Sequence, residues 1–278
     1  MQVGDLHCHT RLSDGSLPPE DLVRLGQRLK LDVIAITDHD TLAGCRQAKD
    51  LEKGRQIRVI PGAEFSCVDE KRGRKVHLLC YGPKKLQVLE PICQEIGRRR
   101  REAVHQMIEK VAAHYPITQE MVERYAKDST CVYKTHIMEA LMDLGYDVEV
   151  YGVLFRQLFH QKTGAYLVTP RFPSAFEMLS LIHEAGGTAV LAHPEIYDSL
   201  EVLEELIEEG LDGVEVWHPR NSPATRQHLL ERAKEHRLLT TGGSDFHGRF
   251  RGEAVPLGTC TTPEQSLRQL LDRVERQG

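Results

Sequence analysis

The chain has 278 residues, a hydrophobic fraction of 40% and a formal net charge of −5, with an isoelectric point near 6.3. This balance excludes a global basic field for long nucleic acids, but not a small anionic ligand at a cluster of divalent cations. The seven cysteines form no CxxC pair, which argues against a disulfide framework or a zinc ribbon. The start lacks a secretory leader and no apolar run approaches about 18 residues, so we expect a cytoplasmic protein that does not contact membranes.

Residues 1–81 alternate between strand and helix patterns. The predicted elements are strand Val3–Leu6, helix Pro18–Lys30, strand Val33–Ile36, helix Thr41–Lys53 and strands Val59–Glu64 and Val76–Tyr81. Asp40 is interpreted as the N-cap of the second helix. The segment 71–74 resembles a hairpin tip, so the last strand is expected to run antiparallel to its predecessor.

Residues 82–164 have a different character, because strand patterns vanish and polar helices replace them. The predicted helices are Leu86–His114, Thr118–Lys127, Thr135–Leu144 and Glu149–Phe159. The run Arg98–Arg101 points its charges all round one helix and is interpreted as solvated surface. We therefore expect a helical insertion subdomain that covers the substrate.

Strand–helix alternation resumes in the last part of the chain. The predicted elements are helix Ser174–Glu184, strand Thr188–Ala192, helix Ser199–Glu209, strand Gly213–Trp217, helix Pro223–His236, strand Leu238–Thr241 and helix Pro263–Arg276. Crossovers of this length make parallel neighbours, so residues 1–81 and 165–278 predict an α/β barrel. An open doubly wound sheet is the alternative, although no glycine-rich phosphate fingerprint follows any strand.

Histidines and carboxylates recur at the ends of these strands, which a barrel would bring to one mouth. His7 and His9 lie on the same side of an extended chain and could hold one ion. Glu64, His193 and Asp245 offer further nitrogen and oxygen ligands, a set that fits Mn²⁺, Fe²⁺ or Zn²⁺. The pattern predicts a site with several metals.

Three further positions have competing interpretations. Asp14 is either a turn former or a ligand of a neighbouring metal. His39 is a ligand candidate, and Asp38 could orient a histidine ring from behind it. His247 repeats the HxH-like alternation with Asp245, and Gly242-Gly243 would let the backbone approach the centre. Such a metal cluster suits phosphate esters, while an amide or lactam hydrolase remains open.

Taken together, these motifs resemble those of the PHP (polymerase and histidinol phosphatase) metal-dependent phosphoesterases. The matching segments are Asp5-Leu6-His7-Cys8-His9, Ser13-Asp14-Gly15, Thr37-Asp38-His39-Asp40, Pro61-Gly62-Ala63-Glu64, Ala192-His193-Pro194 and Gly243-Ser244-Asp245-Phe246-His247. The resemblance implies a distorted seven-stranded (β/α) barrel with three metals, often manganese. It implies ligation of a first metal by His7, His9, Glu64 and Asp245, of a second by Glu64, His77 and His193, and of a third by Asp14, His39 and His247.

Asp14 makes the chain similar to the stand-alone branch of that family, which acts on 3′,5′-bisphosphonucleotides or on the 5′ end of short RNA. The resemblance implies attack on phosphorus by a metal-bridging hydroxide, with His193 and Asp245 as catalytic ligands. It also implies substrate contacts for Lys134 and His136, where the branch has an Arg-Pro-His segment, and for His218, a candidate proton donor. The expected substrate is a nucleotide or short oligonucleotide phosphate.

Two alternatives remain at this stage. One is a histidinol-phosphate phosphatase, against which Asp14 argues. The other is an inactive PHP scaffold, whose signature would be missing ligands; all nine ligand positions are chemically able to bind metal.

Overall fold

The computed structural model describes residues 2–250 and 255–276 of the chain. One seven-stranded sheet follows chain order from β1 to β7. Its strands are β1 Gly4–Asp5, β2 Val33–Ile36, β3 Arg58–Asp69, β4 Arg74–Tyr81, β5 Thr188–Leu191, β6 Gly213–Trp217 and β7 Leu239–Gly242. β3 runs five residues beyond its predicted end at Glu64, because it continues to pair with β4 as far as Asp69 opposite Arg74.

The sheet curls into a nearly closed barrel. β1, β2 and β3 are parallel, as are β5, β6 and β7, whereas β4 is antiparallel to both of its neighbours. The predicted hairpin before β4 is therefore confirmed. At the seam the backbone N–H of Leu6 donates to the carbonyl of Gly242 at 3.2 Å, so β1 and β7 lie side by side. The alternative of an open sheet is wrong.

Ten helices accompany the strands within the described residues. They are α1 Pro19–Arg28, α2 Ala43–Glu52, α3 Leu86–Ala112, α4 Gln119–Tyr125, α5 Lys134–Asp143, α6 Val153–Phe159, α7 Ala175–Glu184, α8 Leu203–Glu208, α9 Pro223–His236 and α10 Glu264–Arg276. α10 packs Leu267 and Leu270 against Leu79 and Tyr81 of the barrel interior. This apolar layer helps to bury the inward faces of the strands and leaves the polar mouth elsewhere. No helix in the described ranges combines the length and apolarity needed to cross a bilayer.

The segment between β4 and α7 has a hydrophobic core of its own. Val104, Ile137, Leu141 and Phe159 belong to this second cluster, whereas Leu89 near the start of α3 packs with the barrel. α3 thus crosses from one core to the other. These packing relations support our proposal that residues 82–164 form an inserted subdomain.

The predicted capping role of Asp40 is wrong. α2 begins at Ala43 after Leu42, and no side chain caps it. Asp40 instead adopts φ +54° and accepts hydrogen bonds from the backbone N–H and hydroxyl of Ser66, at 2.7 and 2.9 Å. Arg100 of α3 also donates to its carboxylate, so Asp40 joins the barrel to the insertion.

Candidate metal centre

The polar side chains that follow the strands meet at one mouth of the barrel. Five segments carry them: the loop after β1, the end of β2, the paired strands β3 and β4, the end of β5 and the loop after β7. The structure brings all nine predicted ligands into this mouth, at eight buried positions and one intermediate one (His39); they are His7, His9, Asp14, His39, Glu64, His77, His193, Asp245 and His247. Their assignment as ligands remains our proposal.

Glu64 lies at the middle of the cluster. Its Oε1 is 2.7 Å from Nδ1 of His77 and 2.6 Å from Nε2 of His193. Its Oε2 faces three more imidazole nitrogens at 3.3, 3.2 and 3.1 Å, those of His7, His9 and His39. A carboxylate surrounded by five imidazoles can serve more than one cation, which is the position predicted for a bridging ligand.

Four groups of donor atoms are compact enough to hold an ion, with all atoms of a group within 4.8 Å of one another. The groups are His9–Asp14–His39–His247, His7–Glu64–His193, His7–His9–Asp245 and His39–Glu64–His77. They overlap with the three predicted ligand sets, except that His9 also approaches the third set. Its Nδ1 lies 3.9 Å from Oδ1 of Asp14 and its Nε2 lies 3.3 Å from Oδ1 of Asp245.

The donor set fits divalent metals. Buried nitrogen and oxygen atoms without a hydrogen-bond partner are concentrated here and include His7 Nε2, both nitrogens of His9, His39 Nδ1, Glu64 Oε2 and His193 Nδ1. Buried polar atoms are normally satisfied, so these unpartnered atoms indicate a ligand. The ring of His247 donates from Nδ1 to the carbonyl of Asp245 at 2.8 Å, which leaves its Nε2 lone pair for an ion.

The backbone of two candidate ligands is strained. His193 has φ +25° and Asp245 has φ +52°, a region that residues with a side chain rarely adopt. Such strain costs on the order of 1–3 kcal/mol and concentrates at functional sites. Gly243 allows the loop after β7 to pack closely against His7, because a Cβ at position 243 would lie 2.3 Å from Cβ of His7. The predicted role of this glycine in close backbone approach is confirmed.

Three buried carboxylates lie behind the candidate ligands. Asp5 accepts from the backbone N–H and hydroxyl of Ser244 at 2.9 and 2.6 Å, and so holds the loop that carries Asp245. Asp38 accepts from Thr10 and Ser13, at 2.7 and 2.6 Å from their hydroxyls. The prediction that Asp38 orients a histidine ring is therefore wrong; it anchors the loop between His9 and Asp14.

Glu215 is the third of these carboxylates, and the sequence interpretation missed it. It is fully buried in β6. Oε1 accepts from Nδ1 of His7 at 2.9 Å, and Oε2 accepts from the backbone N–H of His193 at 2.9 Å. Burial raises the pKa of this carboxyl, but the charges of His7 and His218 lower it below its usual value. A glutamate between two valines of an apolar strand was the available signal.

The predicted substrate residues occupy different environments. His218 is fully buried, accepts from the backbone N–H of Arg220 at 3.1 Å, and approaches Oδ2 of Asp245 with Nε2 at 3.3 Å. These contacts favour orientation of Asp245 over direct contact with substrate. His136 accepts from the backbone N–H of Tyr133 at 3.1 Å and thereby caps α5. Lys134 lines the cavity, with Nζ 5.5 Å from the ring centre of Phe155.

A cavity of about 650 Å³ opens above the metal centre, and the insertion forms its opposite wall. Three of the cationic side chains that line it are Lys75, Arg100 and Lys134. The interpretation of Arg98–Arg101 as solvated surface is wrong for Arg100, whose guanidinium lies 4.9 and 5.3 Å from the rings of Tyr133 and Phe172. Burial, with the charges of Lys75 and Arg100, lowers the pKa of Lys134 to about 8.

The far side of the cavity is aromatic. Tyr151, Phe155 and Phe159 form a ladder with ring centres 4.7 and 5.7 Å apart. The same subdomain also holds the metal loops, since Tyr133 donates its hydroxyl to the carbonyl of His39 at 2.9 Å and Ser129 donates to that of Ser13 at 2.7 Å. The arrangement can hold metals at one end, an anion along the side and a planar apolar group at the other end.

A model of the PHP domain family matches residues 5–184, more than half of the chain. The chain belongs to the PHP domain family. PHP relatives of known activity match along most of its length. Phosphoribosyl 1,2-cyclic phosphate 1,2-diphosphodiesterase of Eggerthella lenta is 36% identical over 253 residues, which cover 89% of this chain and 95% of the relative. The 5′-3′ exoribonuclease Rnm of Escherichia coli is 32% identical over 257 residues, covering 88% and 85%.

Two further PHP-type proteins extend the comparison. The 3′,5′-nucleoside bisphosphate phosphatase of Chromobacterium violaceum is 29% identical over 256 residues, covering 89% of this chain and 88% of the relative. The crystal structure of a predicted metal-dependent phosphoesterase of Bifidobacterium adolescentis superposes with a TM-score of 0.89 at 32% identity and covers 98% of this chain and 96% of that one. The distorted (β/α)7 barrel with a helical insertion and the phosphoesterase family are therefore confirmed.

Proposed function

We propose that this chain is a metal-dependent phosphoesterase that hydrolyses phosphate esters of small nucleotides. The substrate is a 3′,5′-bisphosphonucleotide or a short 5′-phosphorylated oligoribonucleotide. One observation carries the proposal: a single cavity is lined by seven of the nine candidate ligands, by cationic side chains that include Lys75, Arg100 and Lys134, and by an aromatic wall. A nucleotide offers the matching parts in the same order, namely a reacting phosphate, further phosphate and a base.

The nine ligands would hold up to three divalent ions, with manganese as our first choice and iron or zinc as alternatives. When bound, such ions lower the pKa of coordinated water and stabilise charge on phosphoryl oxygens. The chain's own residues do the rest. Arg100 and Lys134 attract the substrate's phosphate oxygens, and His218 holds Oδ2 of Asp245 in place.

The aromatic wall favours a substrate that carries a base. Successive bases and aromatic rings stack with about 1–3 kcal/mol per contact, and Phe155 presents its ring to the cavity. The relative from Eggerthella lenta acts on a phosphoribosyl cyclic phosphate, which has no base. That compound therefore belongs among the test substrates, together with histidinol phosphate as the alternative from sequence.

The test is hydrolysis in the presence of Mn²⁺, followed as release of inorganic phosphate or, for the RNA, as release of 5′-nucleotides. Adenosine 3′,5′-bisphosphate, AMP, histidinol phosphate, phosphoribosyl 1,2-cyclic phosphate and a short 5′-phosphorylated RNA would be compared at equal concentration, with products identified by mass spectrometry. We expect the highest kcat/KM for the bisphosphate or the RNA. Preference for histidinol phosphate or for the baseless cyclic phosphate would contradict the proposed substrate class. A protein that takes up Mn²⁺ and hydrolyses none of them would favour the scaffold alternative.

A further inference from the structure

Glu215 is a carboxylate that no substrate can reach, yet both of its oxygens contact residues of the metal centre. Its side chain is fully buried on the inner face of β6. Oε1 lies 2.9 Å from Nδ1 of His7, and Oε2 accepts from the backbone N–H of His193 at 2.9 Å. Asn221 braces the strand by donating to the carbonyl of Glu215 at 2.9 Å. We infer that Glu215 is a positioning residue that sets the metal affinity of one side of the centre.

The contact with His7 fixes a tautomer. A carboxylate accepts only, so Nδ1 of His7 carries the proton and Nε2 keeps its lone pair. That Nε2 is buried without a hydrogen-bond partner and lies 3.3 Å from Oε2 of Glu64. The ring of His7 therefore points the lone pair of Nε2 at the middle of the ligand cluster.

The contact with His193 acts on the backbone. His193 has φ +25°, which an L-residue adopts only when its surroundings hold it there. The hydrogen bond from its N–H to Glu215 supplies part of that hold. Its Nε2 then lies 2.6 Å from Oε1 of Glu64. A single carboxylate therefore orients two ligands that are far apart in the sequence.

The effect should be confined to one side of the centre. His7, Glu64 and His193 form one compact donor group, and His7 also belongs to the group with His9 and Asp245. Among the described residues, the hydrogen bonds of the Glu215 side chain reach His7 and His193, whereas those of Asp38 reach Thr10 and Ser13 beside Asp14. The two carboxylates thus support different parts of the ligand set.

The test is metal binding by Glu215→Gln, measured without any substrate. The amide offers one oxygen, so it can serve either the ring of His7 or the backbone of His193 and presents an NH₂ group to the other. We expect the Kd for Mn²⁺ of at least one metal equivalent to rise about 10–100-fold. The readouts are metal content after equilibrium dialysis against Mn²⁺ and the visible spectrum of the Co²⁺-loaded protein. A role in folding alone would leave the Co²⁺ spectrum of the folded protein unchanged.

Asp38→Asn is the matched variant, because it alters a buried carboxylate on the other side. We expect it to weaken a different metal equivalent and to perturb different Co²⁺ bands. Glu215→Asp, which keeps the charge but shortens the reach, replaces Glu215→Gln should the latter not fold, and is expected to weaken the same equivalent. This inference rests on the proposed metal site, so wild-type protein without metal uptake would overturn both. Normal wild-type uptake with unchanged Kd and spectrum in the Glu215 variants would overturn only the role of Glu215.

Discussion

The two walls of the cavity are built in opposite ways. The floor of the cavity is the metal centre, and its side chains come from the ends of strands from β1 to β7. They are therefore far apart in the sequence, from His7 to His247. The opposite wall comes largely from one segment with a separate core, in which Tyr133 precedes α5, and Lys134 and Phe155 lie on α5 and α6. The floor depends on the closure of the barrel, whereas the wall depends on local helix packing.

The difference indicates which wall can change without loss of the fold. A ligand on the floor cannot move without disturbing its strand and the carboxylates behind it, such as Glu215 and Asp5. A side chain on the wall can change with little cost to the barrel. We infer that the floor fixes the chemistry and that the insertion selects among phosphate esters. The following variants test that division.

The largest effect is expected on the floor. Asp245→Asn removes a carboxylate that lies within 3.3 Å of His9 Nε2 and of His218 Nε2. Loss of residues that only support a ligand costs about 10–100-fold, so loss of the ligand itself should lower kcat by more than about 100-fold. His193→Ala should behave alike. Circular dichroism and thermal melting would check the fold, and Asp50→Asn at an exposed position of α2 is the control. Undiminished turnover in both variants would refute the site.

A smaller and selective effect is expected on the aromatic wall. Phe155→Leu keeps an apolar side chain but removes the stacking face, so KM for adenosine 3′,5′-bisphosphate should rise about 10-fold. KM for a ribose bisphosphate without a base should not change. Phe176→Leu makes the same substitution in α7, where Phe176 packs on the barrel core, and should leave both values unaltered. An equal rise for both substrates would show that the wall does not recognise the base.

The effect of pH through Lys134 should be no larger than that of Phe155→Leu. Its pKa is lowered to about 8, so the side chain is charged below pH 8 and loses its charge as the pH rises further. Lys134→Arg stays charged throughout. The ratio of kcat/KM for the variant to that of the wild type on a bisphosphate should therefore increase by up to about 10-fold between pH 7 and pH 9. Titrations common to both proteins cancel in this ratio, so a flat ratio would exclude a phosphate contact by Lys134.

The smallest effect is expected where the two walls touch. Tyr133→Phe removes the hydroxyl that donates to the carbonyl of His39 at 2.9 Å. One such hydrogen bond contributes about 1 kcal/mol, so kcat should fall about fivefold and less than in any floor variant. Steady-state kinetics with saturating Mn²⁺ measures it. A loss as large as that of Asp245→Asn would mean that floor and wall are not separable.

Many ligands of the floor could be predicted from sequence, because alternate side chains of an extended segment lie on the same side of it. His7 and His9 lie on one side of an extended chain wherever that chain goes, and Asp245 with His247 repeats the pattern. The strand pairing also followed from local signals, apart from the extra length of β3. The predicted helix bounds agree with the structure to within a few residues, because they too depend on local signals.

The errors fall where a distant partner decides the outcome. Arg100 enters the cavity because the rings of Tyr133 and Phe172 flank it, and nothing within the run of four arginines distinguishes it from its neighbours. Asp40 has the composition of a helix cap, but Ser66 and Arg100 recruit its carboxylate. Glu215 belongs to no sequence motif, since its partners His7 and His193 lie just after β1 and β5.

Several hydrogen bonds from the insertion to the metal loops end on backbone carbonyls. Ser129 and Thr130 donate to the carbonyls of Ser13 and Leu12, which precede Asp14, at 2.7 and 2.9 Å. A backbone carbonyl remains when the side chain of its residue is substituted, so these hydrogen bonds tolerate substitutions in the barrel loop. They do not tolerate deletion of the insertion. We therefore do not expect a barrel without residues 82–164 to be a functional minimal enzyme. The loop that carries Asp14 would lose the hydrogen bonds that hold it and would bind metal poorly.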